Sequence, residues 1–127
     1  MEGENFVAIG KLVFETPGYT WNIPHTHFIV SKSSDGLYEA TNLELILDSV
    51  GDSVEEAARI LARSTGSYVM EIMLKRRGHE ELAEVVDTGV MEDYWREYRK
   101  IEANLPEGQA KSFSVTSDDI VVQCIIR

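Results

Sequence analysis

The sequence is poor in the residues that build cross-linked, metal-bound or membrane-spanning proteins. Its 127 residues include one cysteine, three prolines and three histidines. The lone Cys124 cannot form an internal disulfide or a cysteine-rich zinc site, and its apolar neighbours predict a buried thiol. No apolar run is long enough to cross a bilayer, and the acidic start does not resemble a secretory signal. We therefore expect a cytoplasmic protein without a membrane span.

Basic residues are also scarce. The chain has 12 lysines and arginines and 22 acidic residues, which gives a formal net charge of −10. Such a chain repels phosphate backbones, so nucleic-acid binding by the isolated chain is not expected. A basic partner protein would be attracted. An alternative interpretation is that the charge only maintains solubility.

The length and composition predict a single globular domain over residues 1–127. The hydrophobic fraction of 43% is ordinary for a folded protein. The N-terminal part has strand-like alternation and a hairpin turn at Gly36, and both faces of the first strand are largely apolar. The predicted strands cover residues 6–15, 27–32 and 37–42, and we interpret residues 43–47 as a continuation of the third strand past a bend.

A long amphipathic helix is predicted over residues 53–77. Ser53 and Glu56 have the spacing of a capping box, in which each side chain accepts a hydrogen bond from the other residue's backbone N–H. Asp52 and Glu55 add negative charge at the positive end of the helix dipole. Apolar side chains then recur at helical spacing, which predicts one face packed on the sheet.

Two further helices are predicted over residues 79–87 and 90–105, followed by a short strand at 112–116 and a strand at 120–126. The last strand is uncharged and rich in β-branched residues, so an open edge there would promote aggregation. We expect it to lie inside the sheet, and the alternative is a dimer built through it. The predicted fold class is α+β: an antiparallel sheet in β-β-β-α-β order with one long helix packed on it and a helical insertion at about 79–105.

The segment from the third strand into the long helix resembles the HicB-like antitoxin family. The elements that carry the resemblance occur in the family's order and approximate spacing: Tyr38-Glu39-Ala40, the region of Asp48, Gly51-Asp52-Ser53-Val54-Glu55-Glu56-Ala57, and Tyr68 to Glu71. The resemblance implies a partial ribonuclease-H-like fold of three antiparallel strands, a helix on one face and a final strand. It also implies binding and inhibition of a small basic HicA-like ribonuclease toxin, or an orphan relative without a toxin, and no catalysis.

His25 and His27 are the candidate metal ligands. Residues two apart on a strand point to the same face, so both imidazoles could reach one ion. A complete site would need a carboxylate from elsewhere in the chain, because none follows within residues 28–32. We interpret the pair as solvent-facing histidines, and a metal-binding protein or enzyme centred on them is an alternative function.

A third hypothesis is a DNA-binding regulator that uses residues 79–100. The run from Tyr94 to Lys100 mixes aromatic and basic side chains, but acidic residues lie within and beside it: Glu92, Asp93, Glu97 and Glu102. Covering the core or a partner surface is therefore the favoured role of these aromatic residues. No catalytic residue and no cofactor are predicted, and a homo-oligomer is expected.

Overall fold

The fold is described from a computed structural model, which covers residues 5–15, 25–75, 92–105, 110–117 and 120–127, with backbone alone at 72–75 and 117. It has α+β architecture, with a six-stranded antiparallel sheet and, within these ranges, a helix on each face. The elements are β1 (Asn5–Glu15), β2 (His25–Lys32), β3 (Tyr38–Asn42), β4 (Asp48–Gly51), α1 (Val54–Lys75), α2 (Glu92–Asn104), β5 (Lys111–Ser117) and β6 (Ile120–Ile126).

The strand order in the sheet is β4-β3-β2-β1-β6-β5. The long strand β1 pairs with β2 on one side and β6 on the other. Because β6 also pairs with β5, its uncharged apolar sequence has a neighbour on both edges. The prediction of an interior position for residues 120–126 is therefore confirmed.

One face of the sheet packs on α1. The helix contacts β3 and β4 at one end of the sheet and β5 and β6 at the other, so the sheet curls around it. At the start of the helix, the Ser53 hydroxyl accepts a hydrogen bond of 3.0 Å from the Glu56 backbone N–H, as half of a capping box. The buried core on this face includes Leu12, Phe28, Val30, Leu61, Ala62, Val69 and Val122.

The opposite face packs on α2. Successive strand residues point to opposite faces, so Ile29 lies away from its neighbours Phe28 and Val30. There it joins a smaller cluster with Ile9, Leu43 and Tyr98, and Phe6 and Tyr94 pack at its margin. The rings of Phe6 and Tyr94 meet edge to face at 5.4 Å between centroids.

The expectation that residues 43–47 continue the third strand is wrong. The chain turns there, because the Asn42 side-chain oxygen accepts hydrogen bonds from the backbone N–H groups of Glu44 and Leu45. Ile46 then adopts a left-handed conformation with φ of 57°. The turn returns the chain as β4, antiparallel to β3, a strand that the sequence analysis missed.

The other predicted elements agree in outline. The long helix is confirmed as α1, the last predicted helix as α2 at Glu92–Asn104, and the short strand at 112–116 as β5. The predicted helix at 79–87 lies outside the described residues, as do residues 76 and 77 at the predicted end of the long helix. No helix in the described ranges is both long and apolar enough to span a membrane.

Candidate functional site

The most organised polar cluster lies where β2, the turn at residues 42–47 and α2 meet. It contains His25 and His27 from β2, Glu44 from the turn, and Trp95 and Tyr98 from α2. We call these residues the His27–Glu44 cluster. Its parts come from three separate stretches of sequence, which the sheet and the second helix bring together.

Glu44 binds His27 through both carboxylate oxygens. One oxygen accepts from the His27 backbone N–H at 2.7 Å, and the other lies 2.7 Å from the ring Nδ1. The Leu43 N–H donates to the His27 carbonyl at 2.9 Å, which ties the turn to β2 once more. The Glu44 side chain is 10% exposed, so its charge is largely removed from water.

The expectation that the two histidines face solvent is wrong for His27, whose side chain is 20% exposed. The physical reason is that β2 presents this residue to the face covered by α2. The imidazole lies edge-on to the rings of Trp95 at 5.1 Å and Tyr98 at 5.5 Å. The His25 ring, itself half-buried, lies 5.0 Å from the His27 ring.

The electrostatics keep His25 neutral over a wider pH range than a free histidine. Desolvation lowers the pKa of His25, and the neighbouring His27 and Lys11 lower it further. Glu44 acts in the opposite direction, but as a smaller contribution. Burial also raises the pKa of Tyr98 to about 12, so its hydroxyl keeps its proton.

Two buried polar atoms beside this cluster have no hydrogen-bond partner among the described residues. They are the indole Nε1 of Trp95 and the hydroxyl oxygen of Tyr98. Buried donors of this kind normally bind a protein group or an ordered water. The third such atom among the described residues is the hydroxyl oxygen of the fully buried Thr65 in α1.

The cluster meets only part of the requirement for a metal centre. Glu44 is the carboxylate from elsewhere in the chain that such a site would need, 17 residues from His27. Both of its oxygens are engaged by that histidine, and the described ranges contain no group of three or more His, Cys, Asp or Glu side chains placed to hold an ion. In many metal sites a carboxylate that does not bind the metal orients a histidine ligand through one ring nitrogen. Glu44 has this relation to Nδ1 of His27, and Nε2 is the other ring nitrogen.

Sequence reasoning found the histidines but missed Glu44. A usable signal was present: Glu44 is the only charged residue in the otherwise apolar run of residues 43–47. A charged side chain in an apolar run either points to solvent or is buried beside a partner group. The incorrect strand assignment concealed the second possibility.

The carboxylates near the start of α1 do not form a catalytic cluster within the described residues. Glu55 forms an ion pair with Arg59 at 3.1 Å and another with Lys111 at 3.5 Å. The hydrogen bond from Arg59, followed by the charge of Lys111, lowers the pKa of Glu55. Asp52 is exposed beside the cap, and Asp118 and Asp119 lie outside the described residues.

Comparison of the chain with protein-family models, with curated proteins and with solved structures found no match.

Proposed function

We propose that the chain is an antitoxin-type binding protein of the HicB-like kind, whose partner is a small basic ribonuclease toxin. The arrangement of β1 to β3 and α1 is the observation that carries this proposal. Three antiparallel strands support a helix that begins at a Ser53 cap, and the last strand, β6, lies beside β1. These are the fold features that the sequence resemblance to that family implies, and an orphan relative would share them.

The charge of the chain supports the same proposal. A net charge of −10 on 127 residues favours rapid association with a basic protein and disfavours RNA itself. An acidic inhibitor of a basic nuclease thus competes with the nuclease's own substrate for the same positive surface. In this proposal the protein works in the cytoplasm as a homo-oligomer and performs no catalysis.

The two alternatives receive less support. Glu44 gives the His25–His27 pair a carboxylate neighbour, but both oxygens of that carboxylate already contact His27. A DNA-binding role for residues 79–100 rests partly on residues outside the described ranges. In α2 itself, two of the basic side chains are paired within the helix, Arg96 with Asp93 and Lys100 with Glu97.

The test uses a small basic protein encoded by a reading frame beside this gene. The purified product should cleave RNA, and an equimolar amount of this chain should stop the cleavage. A heat-unfolded sample of the chain is the matched control and should have no effect. The absence of such a frame, or cleavage that continues unchanged with excess folded chain, would overturn the proposal.

A further inference from the structure

We infer that the β4 end of the sheet is a docking edge for a partner strand that carries both apolar and basic side chains. We call β4, with its exposed side chains Asp48 and Val50, the β4 edge. The inference rests on the proposed function, since it names the part of the chain that a basic partner would occupy. It deepens that proposal by assigning the contact to backbone pairing at one particular strand.

The first observation is the position of β4. Within the described ranges, this strand pairs with β3 alone and ends the sheet on that side. In an edge strand, every second peptide group points away from the neighbouring strand, so its N–H and C=O groups are available to another chain. An extended peptide can add to such an edge as one more strand.

The second observation is exposed apolar surface on β4 and on the hairpin beside it. Val50 is 50% exposed and Leu37 is 37% exposed, and among the described residues both belong to the few large apolar side chains with that much exposure. Together with Tyr38 they line a surface cavity of about 330 Å³, to which β4 contributes Val50 and β2, β3 and the loop between them contribute the other lining residues. Ile46, at the other end of β4, is 44% exposed. A partner strand would therefore find an apolar anchor point as well as backbone groups.

The third observation is the charge around that cavity. Asp35 lines it, and the exposed Asp48 and Asp52 lie on either side of Val50 in the chain. The one basic residue in the lining, Lys32, lies over the Tyr38 ring at 5.6 Å. Acidic groups around an apolar centre select a partner segment with lysine or arginine beside apolar side chains.

The opposite end of the sheet lacks this combination. On β5, Lys111 is paired with Glu55, and the Phe113 ring is covered by the Arg59 guanidinium at 4.3 Å. The side chains of Ser112, Ser114 and Thr116 are exposed but offer no apolar anchor. A lysine and a polar surface are features that protect an edge strand from pairing. Of the two edges, β4 is the one suited to a partner.

The experiment uses a short capped peptide that alternates valine and lysine as the probe, with a valine–glutamate peptide as its control. We expect saturable amide shifts in isotope-labelled full-length chain, together with slowed hydrogen exchange in residues 48–51. The acidic peptide should produce neither change. Saturable effects in β5 instead, equal effects from both peptides, or no saturable effect would overturn the inference.

Two variants with the same charge change separate the edges. Val50→Lys removes the anchor and adds a repulsive charge, so it should weaken probe binding by about tenfold or more. Thr116→Lys places the same charge on β5 and should change the affinity by less than about twofold. If Val50→Lys fails to fold, Leu37→Ser in the hairpin loop provides the second anchor variant. Unchanged affinity in a folded anchor variant would overturn the inference.

The outcomes also separate this inference from the proposed function. Probe binding at β4 without inhibition of the basic ribonuclease would support the docking edge and contradict the proposal that the toxin is the partner. Full ribonuclease inhibition by Val50→Lys would support the proposed function and contradict docking at the β4 edge. Protection of residues 48–51 that increases with the concentration of the chain alone would show that a second copy occupies the edge, which also overturns the inference.

Discussion

The two faces of the sheet differ in how they are built. Under α1, the core consists of aliphatic and aromatic side chains such as Leu12, Phe28 and Leu61, each fully buried. Under α2, a smaller cluster combines Ile9 and Ile29 with aromatic rings and the His27–Glu44 pair. The first face has the larger apolar core, whose packing is non-directional, and the Ser49 hydroxyl adds a hydrogen bond of 2.7 Å to the Ala57 carbonyl there. The second face has fewer buried apolar side chains and holds the His27–Glu44 pair. We therefore expect the free energy of unfolding to depend mainly on the α1 face.

The largest expected effect comes from Leu61→Ala. This side chain is fully buried in the core between α1 and the sheet. Removing it should lower the free energy of unfolding by about 2–5 kcal/mol through lost burial and a residual cavity. The control is Ile101→Ala in α2, where the half-buried side chain should cost less. Urea unfolding of both variants measures the difference, and equal losses would contradict the contrast between the faces.

Glu44→Gln should have the next largest effect. The substitution removes the charge that faces the His27 ring and leaves a buried amide in a site arranged for a carboxylate. We expect a loss of about 1–3 kcal/mol in the free energy of unfolding. Glu102→Gln is the matched control, because that side chain is 44% exposed and reaches Arg127 only at 3.8 Å. A loss no greater than that of the control would show that the His27–Glu44 pair does not stabilise the α2 face.

Ser53→Ala tests the start of α1. The hydroxyl accepts the Glu56 N–H, so its removal should cost about 1 kcal/mol of unfolding free energy. Ser64→Ala, at an exposed position inside the helix, is the control and should be neutral or slightly stabilising because alanine is the better helix former. Thermal unfolding followed by circular dichroism compares the two. Equal melting temperatures would mean that the cap is not formed in solution.

The pH dependence around His25 is expected to be smaller still. Its pKa is lowered in the folded chain, so below the ordinary value of 6.5 the unfolded chain binds more protons than the folded one. The contribution of this residue is therefore fully present above pH 6.5 and is lost as the pH falls toward the folded-state pKa. Urea unfolding across that range should show the slope, and His25→Gln should reduce it. An identical slope in the variant would assign the dependence to other groups.

Tyr98→Phe should have almost no effect. The hydroxyl is buried without a partner among the described residues, so its removal leaves no group newly unsatisfied. We expect the free energy of unfolding to change by less than about 0.5 kcal/mol, or to rise. Phe14→Leu is a size control on the α1 face, where a buried aromatic ring is lost. A clear loss in Tyr98→Phe would show that the hydroxyl has a hydrogen-bond partner in the folded protein.

Much of the fold could be predicted from local sequence. The Ser53–Glu56 spacing located the start of α1, and the uncharged, β-branched sequence of residues 120–126 indicated an interior strand. The turn at 42–47 could not be predicted in the same way. It depends on the Asn42 side chain, which accepts hydrogen bonds from two backbone N–H groups in place of the pairing with a neighbouring strand. An apolar run gives the same signal in a strand and in a buried turn.

The candidate site was less predictable for the same reason. The spacing of His25 and His27 placed both on one face, but their neighbours come from distant parts of the chain. Glu44 reaches His27 only because the turn is tied to β2, and Trp95 and Tyr98 reach it only because α2 crosses that face. Periodicity describes an element and one of its faces, whereas a site depends on how elements pack together.

The most direct test of the central claim, that this acidic chain binds a small basic protein, is a calorimetric titration of the two purified proteins. The proposed partner is the product of a neighbouring reading frame that encodes a small basic protein, and the titration is carried out at low and at high salt. We predict saturable heat at low salt, with an affinity that falls as the salt concentration rises because opposite charges attract across the interface. No saturable heat at either salt concentration would contradict the claim.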